Sequence, residues 1–131
     1  MQGLARLLHV PIVGCDVTAS AVCMDKILTK QILEQHGIST AKYVAYRKGS
    51  PSLDVNDVVN QLGLPMFVKP ARAGSSVGVT KVHTADEFGP ALDEALKHDD
   101  HILIERAIVG RELETACREI AIDLTLVSCL Y

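Results

Sequence analysis

The sequence predicts an α+β fold, with helices packed on an antiparallel or mixed sheet. Two observations predict it: helix-period and strand-period segments alternate along the chain, and the connections between several strands are short and hairpin-like. A length of 131 residues suits one domain with a modest core, or a part of something larger.

Three helices are predicted in the first half of the chain. A short one carries the leucines at positions 4, 7 and 8, a second runs over 25–36 and stops at Gly37, and a third holds valines at i, i+3 and i+4 before Gly63. A strand over 42–46 separates the second helix from the third, and residues 47–52 form a polar linker.

The second half of the chain predicts more strands. Strands are expected at 66–68, 79–82, 101–105 and 112–117, and the apolar alternation over 120–126 is compatible with another. The pattern Thr84-Ala-Asp-Glu87 predicts a capping box that opens a helix running to Lys97.

Composition excludes several classes of function. A net charge of −3 and the absence of tryptophan argue against nucleic acid as a partner. No apolar run is long enough for a membrane span, and the N-terminus has no signal-peptide pattern, so we expect a cytoplasmic protein.

The four cysteines and one histidine cluster give no strong sign of a metal. Cys15, Cys23, Cys117 and Cys129 form no Cys-x-x-Cys pair and are expected to be buried or half-buried thiols in a reducing compartment. The segment His98-Asp-Asp-His101 has metal-binding side chains, but its place between a helix and a strand favours solvated polar residues, so no metal ligands are predicted.

The segment 67–79, FVKPARAGSSVGV, carries the most chemistry. An apolar strand delivers Lys69 to its end and Pro70 stops the strand, while Gly74 and Gly78 bracket two serines and are expected to supply positive φ angles. A fixed cation, two hydroxyls and turn amides suit a polyphosphate. From these residues alone, a glycine-containing hairpin with a surface lysine is an equal alternative.

Four motifs together resemble the D-alanine–D-alanine ligase family of the ATP-grasp superfamily. They are Phe67-Val-Lys-Pro, Gly74-Ser-Ser-Val-Gly78, Met24-Asp-Lys26, and Leu103-Ile-Glu105 followed by Gly110-Arg-Glu-Leu-Glu114. The resemblance covers residues 2–116 and implies an ATP-grasp-type central domain that is incomplete at both ends. It divides the chain into an N-terminal-domain remnant (1–20), a central subdomain (21–105) and the start of a C-terminal subdomain (106–131), in which 117–131 depart from the family.

The resemblance also assigns site residues. Lys26 and Lys69 would bind the ATP phosphates, and the glycine loop would cover them. Glu105 and the backbone of Ile108 would contact adenine, and Glu112 would bind ribose. The loop residues concerned are Gly74, Ser75, Ser76 and Gly78, with Ser75 also touching the substrate. Without the resemblance, each is also explained as an ordinary turn, strand-end or helix-end residue.

The implied reaction joins two D-alanines through an acyl phosphate formed from ATP, for peptidoglycan synthesis. The implied partners are ATP and D-alanine, with Mg²⁺ bound by residues expected in a further C-terminal portion, and a homodimer is possible for the parent. Because of the missing magnesium ligands, the chain alone is expected to be inactive as a ligase. Two alternatives stay open: a non-catalytic ATP-binding fragment, and another ATP-grasp ligase such as a D-alanine–D-lactate ligase.

Overall fold

A computed structural model describes residues 1–111, 113–120 and 123–129, with the backbone alone described from residue 114 onward. The helices are α1 (Gln2–Leu7), α2 (Val17–Met24), α3 (Lys26–Gln35), α4 (Val55–Leu62) and α5 (Phe88–Leu96). The strands are β1 (Tyr43–Arg47), β2 (Met66–Pro70), β3 (Thr80–Val82), β4 (His101–Arg106), β5 (Glu114–Ile120) and β6 (Asp123–Cys129).

Four strands form one antiparallel sheet in the order β1-β4-β2-β3. The predicted hairpin around the glycine segment is present as the antiparallel pair β2 and β3. Strands β5 and β6 form a separate two-stranded antiparallel sheet. The predicted α+β class is therefore confirmed, and the predicted strand over 120–126 is displaced to Asp123–Cys129.

One face of the four-stranded sheet carries the hydrophobic core. Helices α4 and α5 cover this face, because their apolar residues recur at helical spacing. The core consists of buried residues from both helices and from three strands: Val58, Leu62, Phe88, Ala91, Ala95, Met66, Val68, Val82, Ile102 and Ile104.

The opposite face of the sheet, hereafter the polar face, carries charged residues beside apolar ones. In β2, the buried Met66, Val68 and Pro70 alternate with the half-buried Phe67 and Lys69, as the two-residue period of a strand requires. The pairing register sets Phe67 directly opposite Glu105 in β4. The register therefore brings Lys69 and Glu105 to the same face.

Helix α3 lies on this polar face and is joined to β2 through its first turn. Asp25 caps the helix by accepting hydrogen bonds from the amides of Ile27 (3.0 Å) and Leu28 (3.1 Å). The Lys26 amide donates to the carbonyl of Ala71, just after β2, at 3.0 Å. The second predicted helix is thus confirmed, with Asp25 as its cap.

Helix α2 was not predicted by hydrophobic periodicity. Asp16 caps it, accepting from the Ala19 amide at 2.7 Å. The helix is apolar on most sides and has no buried residue, so it lacks the one-sided stripe that makes a surface helix visible in a sequence.

The predicted capping box at Thr84 is wrong. The Thr84 side chain makes no capping hydrogen bond, and a 3₁₀ turn over Ala85–Glu87 precedes α5. The Glu87 carboxylate accepts from the His83 amide at 2.7 Å instead, one residue earlier than a capping box requires.

The expected burial of the cysteines is also wrong where it is described. Cys15, between α1 and α2, and Cys23, in α2, are both exposed. The side chains of Cys117 and Cys129 lie outside the described residues. Within the described part of the chain, no helix is long and apolar enough to cross a bilayer.

Candidate functional site

A cavity of about 510 Å³ opens on the polar face of the sheet, between the end of β2, the start of α3 and the glycine loop. This volume falls within the range of small-molecule sites. Its lining combines charged, hydroxyl and apolar residues: Cys23, Met24, Lys26, Phe67, Lys69, Ala73, Gly74, Ser75, Ser76, Val79 and Glu105. Six of the nine predicted site residues therefore meet in one place.

Lys26 reaches the cavity from the first turn of α3. Its Nζ donates to the carbonyls of Ala73 at 2.5 Å and Ala71 at 3.3 Å, on the segment that leads into the glycine loop. Burial and the nearby Lys69 cation lower the pKa of Lys26. A cation close to a second cation favours binding of an anion between them.

Lys69 and Glu105 form an ion pair across neighbouring strands, with Nζ of the lysine donating to Oε1 of the carboxylate. The second oxygen, Oε2, lies 3.0 Å from Nζ of Lys30. Burial alone raises the pKa of Glu105, but hydrogen bonds and charge from Lys69 and Lys30 outweigh it, so the pKa lies below its ordinary value. Glu105 is therefore an ionised carboxylate between two cations.

The glycine loop turns differently from the prediction. The positive φ angles fall on Ser75 (50°), Ser76 (58°) and Gly78 (67°), so the expectation of positive φ at Gly74 is wrong. Turn hydrogen bonds hold this path: the Val77 amide donates to the Gly74 carbonyl at 3.1 Å, and the Val79 amide to Ser76 at 3.3 Å. Left-handed serines cost about 1–2 kcal/mol each, and such conformations are concentrated at functional sites.

Gly78 lies outside the cavity lining and has a packing role. A Cβ at this position would lie 2.6 Å from Cδ2 of His98 and 2.9 Å from Cγ of Pro70. Only a residue without a side chain allows the loop to pack this closely against the end of α5.

The base of the loop is fixed by Asp99, part of the histidine cluster considered above. Its carboxylate accepts from the amide of Arg72 at 2.9 Å, from the guanidinium at 2.6 and 3.1 Å, and from the His101 amide at 3.1 Å. Desolvation raises the pKa of Asp99, but these donors outweigh it and lower the pKa overall. Asp99 thus holds the loop base against the start of β4.

Two further predicted site residues remain. Ile108 follows β4, does not line the cavity, and has a largely exposed side chain. Glu112 lies outside the described residues.

Sequence reasoning missed Lys30, the second partner of Glu105. A signal for it exists, since Lys26 and Lys30 are four residues apart and lie on one face of a helix.

A strand-borne lysine, a serine–glycine loop and a helix-borne lysine around one cavity are chemically suited to an anionic, phosphate-like ligand. Residues 32–125 match the family model described as "D-ala D-ala ligase C-terminus". The chain belongs to this family.

Sequence relatives agree with this family assignment. The chain is 47% identical over 117 residues to D-alanine–D-alanine ligase A of Chromobacterium violaceum and 48% identical over 117 residues to a D-alanine–D-alanine ligase of Sodalis glossinidius. These alignments cover 88% of the chain and 32% of each relative. The chain therefore spans about a third of the length of these relatives.

The fold matches crystal structures of the same family. The VanG D-Ala:D-Ser ligase of Enterococcus faecalis gives a TM-score of 0.87 at 36% identity, over 95% of this chain and 36% of that one. D-alanyl-alanine synthetase A of Vibrio cholerae gives a TM-score of 0.87 at 33% identity, over 95% of this chain and 38% of that one. The ATP-grasp-type fold is thereby confirmed.

Proposed function

We propose that the cavity binds the polyphosphate of ATP and that the chain forms the nucleotide-binding part of an ATP-dependent D-alanine–D-alanine ligase. The observation that carries the proposal is the convergence of Lys26 and Lys69 beside the serine–glycine loop in one cavity. The family supports the reaction class. The product would serve peptidoglycan synthesis in the cytoplasm, where ATP is available.

In this reaction, the carboxylate of one D-alanine attacks the γ-phosphorus of ATP, and ADP leaves. The amine of a second D-alanine attacks the acyl phosphate, and inorganic phosphate leaves with the dipeptide formed. Phosphoryl transfer depends mainly on positioning and charge neutralisation. Lys26 and Lys69 supply the neutralising charge, while the loop shields the acyl phosphate from water and brings Ser75 to the substrate.

Glu105, Ile108 and Glu112 are proposed for the adenosine. Glu105 lines the cavity and has unused lone pairs beyond its two lysine contacts, so it can accept from the adenine amino group. Ile108 follows β4 in the chain, and its backbone would contact the ring edge, while Glu112 would hold the ribose hydroxyls.

Magnesium, which the family implies, does not fit the described cavity. The carboxylate that lines it, Glu105, is paired with two lysines, and the described residues contain no group of three potential metal ligands. No step is therefore assigned to a metal held by these residues.

Calorimetry with ATP tests the binding role. Lys69→Ala should weaken ATP binding at least about tenfold, since a charge-assisted contact to phosphate is lost. The matched control is Lys48→Ala, because Lys48 is an exposed lysine paired with Asp100 away from the cavity. Equal affinity of the wild type and Lys69→Ala would contradict the assignment.

A chimera tests the reaction and the second substrate. The matched 117-residue stretch of the Chromobacterium violaceum ligase is replaced by this chain's sequence, and phosphate release is followed with D-alanine and ATP. D-alanine–D-alanine formation that disappears with Lys69→Ala supports the proposal. Since one structural relative is a D-Ala:D-Ser ligase, D-serine and D-lactate are compared as second substrates, and a preference for either favours the alternative ligase.

A further inference from the structure

Lys30 contacts the site without lining the cavity. It lies on α3, four residues after Lys26, and its Nζ is 3.0 Å from Oε2 of Glu105. The side chains of both partners are largely buried, at 13% and 14% exposure, so the pair is only weakly screened by water. Lys30 thus acts on the cavity through Glu105.

Lys30 is also held from the side away from the cavity. Its Nζ donates to the carbonyl of Ala41 at 3.0 Å and lies 5.2 Å from the centroid of the Tyr43 ring. These contacts would be lost if the ammonium moved into the cavity. Lys30 is therefore a fixed cation.

Lys69, unlike Lys30, lies where a ligand can reach it. It lines the cavity, and its ammonium donates to Oε1 of Glu105. An anion entering the cavity competes with Glu105 for this ammonium. The single carboxylate of Glu105 thus binds one fixed cation, Lys30, and one cation that can be drawn towards a ligand.

We propose that Lys30 is a positioning residue that keeps the Glu105 carboxylate in place and charge-compensated while Lys69 moves its ammonium from Glu105 to a polyphosphate. The proposal rests on the proposed function of the cavity and adds a residue to it. Without Lys30, departure of Lys69 would leave a partly buried carboxylate unpaired, which is costly. Glu105 would then retain Lys69, and polyphosphate binding would weaken.

Inorganic tripolyphosphate is the probe, because it lacks the adenine that Glu105 is proposed to contact. Calorimetry compares the wild-type chain with Lys30→Met, which removes the charge, and Lys30→Arg, which keeps it. Lys30→Met should bind tripolyphosphate about tenfold more weakly, as expected when one partner of a buried charge pair is truncated. Lys30→Arg should retain most of the affinity, and the surface control Lys48→Met should match the wild type.

A double-mutant comparison separates action through Glu105 from a general charge effect. In a Glu105→Gln background, Lys30→Met should change tripolyphosphate affinity less than about twofold, because the carboxylate charge through which Lys30 acts is already gone and residues of one charge network are not additive. The same tenfold loss in both backgrounds would overturn the proposal, because Lys30 would then act directly on the ligand or on the fold.

A ligand-free measurement tests the positioning itself. Carbon-13 NMR titration of the Glu105 side-chain carboxyl should give a higher pKa in Lys30→Met than in the wild type. An unchanged pKa would overturn the role of Lys30. If Lys30→Met does not fold, Lys30→Gln takes its place, because it keeps a donor for the Ala41 carbonyl without the charge. The Glu105 carboxyl is then titrated, and tripolyphosphate binding measured, in Lys30→Gln.

These outcomes distinguish the two proposals. If the wild-type chain binds neither tripolyphosphate nor ATP, the proposed function fails, and the positioning role of Lys30 fails with it. If the wild type binds tripolyphosphate and Lys30→Met binds it equally well, only the positioning role of Lys30 is overturned.

Discussion

Replacing Gly78 by alanine should be one of the most destabilising single-methyl changes in the glycine loop. Two costs add at this position. The φ of +67° lies in the left-handed region, where an alanine costs about 1 kcal/mol relative to glycine. The added Cβ would also lie 2.6 Å from a His98 ring carbon and 2.9 Å from a Pro70 carbon, and such overpacking costs about 1–3 kcal/mol. We therefore expect Gly78→Ala to lower the free energy of unfolding by about 2–4 kcal/mol.

Other glycines of the chain separate the two costs. Gly37 has a φ of +73° but no heavy atom within 4 Å of an added Cβ, so Gly37→Ala should cost only the conformational part, about 1 kcal/mol. Gly74 has neither a positive φ nor a close neighbour, so Gly74→Ala should change the free energy of unfolding by less than about 0.5 kcal/mol.

Urea unfolding followed by circular dichroism measures all three variants by linear extrapolation. The His98→Ala background should remove the ring contact and reduce the cost of Gly78→Ala, while leaving the φ cost and the Pro70 contact in place. If Gly78→Ala is no more destabilising than Gly37→Ala, the loop does not pack closely against the end of α5.

Three further predictions concern the strand ends, the core and acid stability. Asp99→Ala should lower the free energy of unfolding by about 2 kcal/mol in the same urea assay, because it removes the acceptor of two backbone amides and a guanidinium. Asp100→Ala, at the neighbouring exposed residue, should change the free energy of unfolding by less than about 0.5 kcal/mol. Ile104→Ala should cost about 3 kcal/mol because Ile104 is fully buried, and Ile108→Ala, at a largely exposed side chain, should cost less than about 0.5 kcal/mol. Similar values for both would contradict the difference in burial between these two residues. The pKa of Glu105 is lower in the folded chain than its ordinary 4.5, so the stabilisation by the ionised carboxylate is fully present above that value and is lost as pH falls through the folded pKa. The difference in the free energy of unfolding between wild type and Glu105→Gln should therefore shrink as pH is lowered from 7 to 3. A constant difference would contradict the ionised pair.

The elements that could be predicted are those whose side chains alternate between two environments. Helix α4 and strands β2 and β4 follow their periods closely, because each has one face on the core. Helix α2 could not be predicted in this way, since it has no buried face within the described chain. The capping box failed for another reason: which amide Glu87 accepts from depends on the 3₁₀ turn before α5, which the four-residue pattern does not specify.

Part of the candidate site could be singled out from the sequence, but not its network of contacts. The sequence pattern singled out Lys26, Lys69 and the loop, which the structure brings together at one cavity. It did not show that Glu105 is held by two lysines, because Lys30 and Lys69 reach it from a helix and a strand that only the tertiary fold brings together. Nor could it assign the positive φ angles to the serines, since glycine is the residue that tolerates such angles best.

The position of the site on the sheet follows from strand alternation. Because successive side chains of β2 point to opposite faces, Val68 enters the core while Phe67 and Lys69 face the cavity. A shift of one residue in the register would bring Lys69 into the core and Val68 into the cavity, so the same hydrophobic contacts that stabilise the sheet also fix the lysine beside Glu105. The apolar face thus determines the geometry of the polar face. Substitutions of Lys69 that leave β2 hydrophobic on its core side should therefore change ligand binding far more than stability.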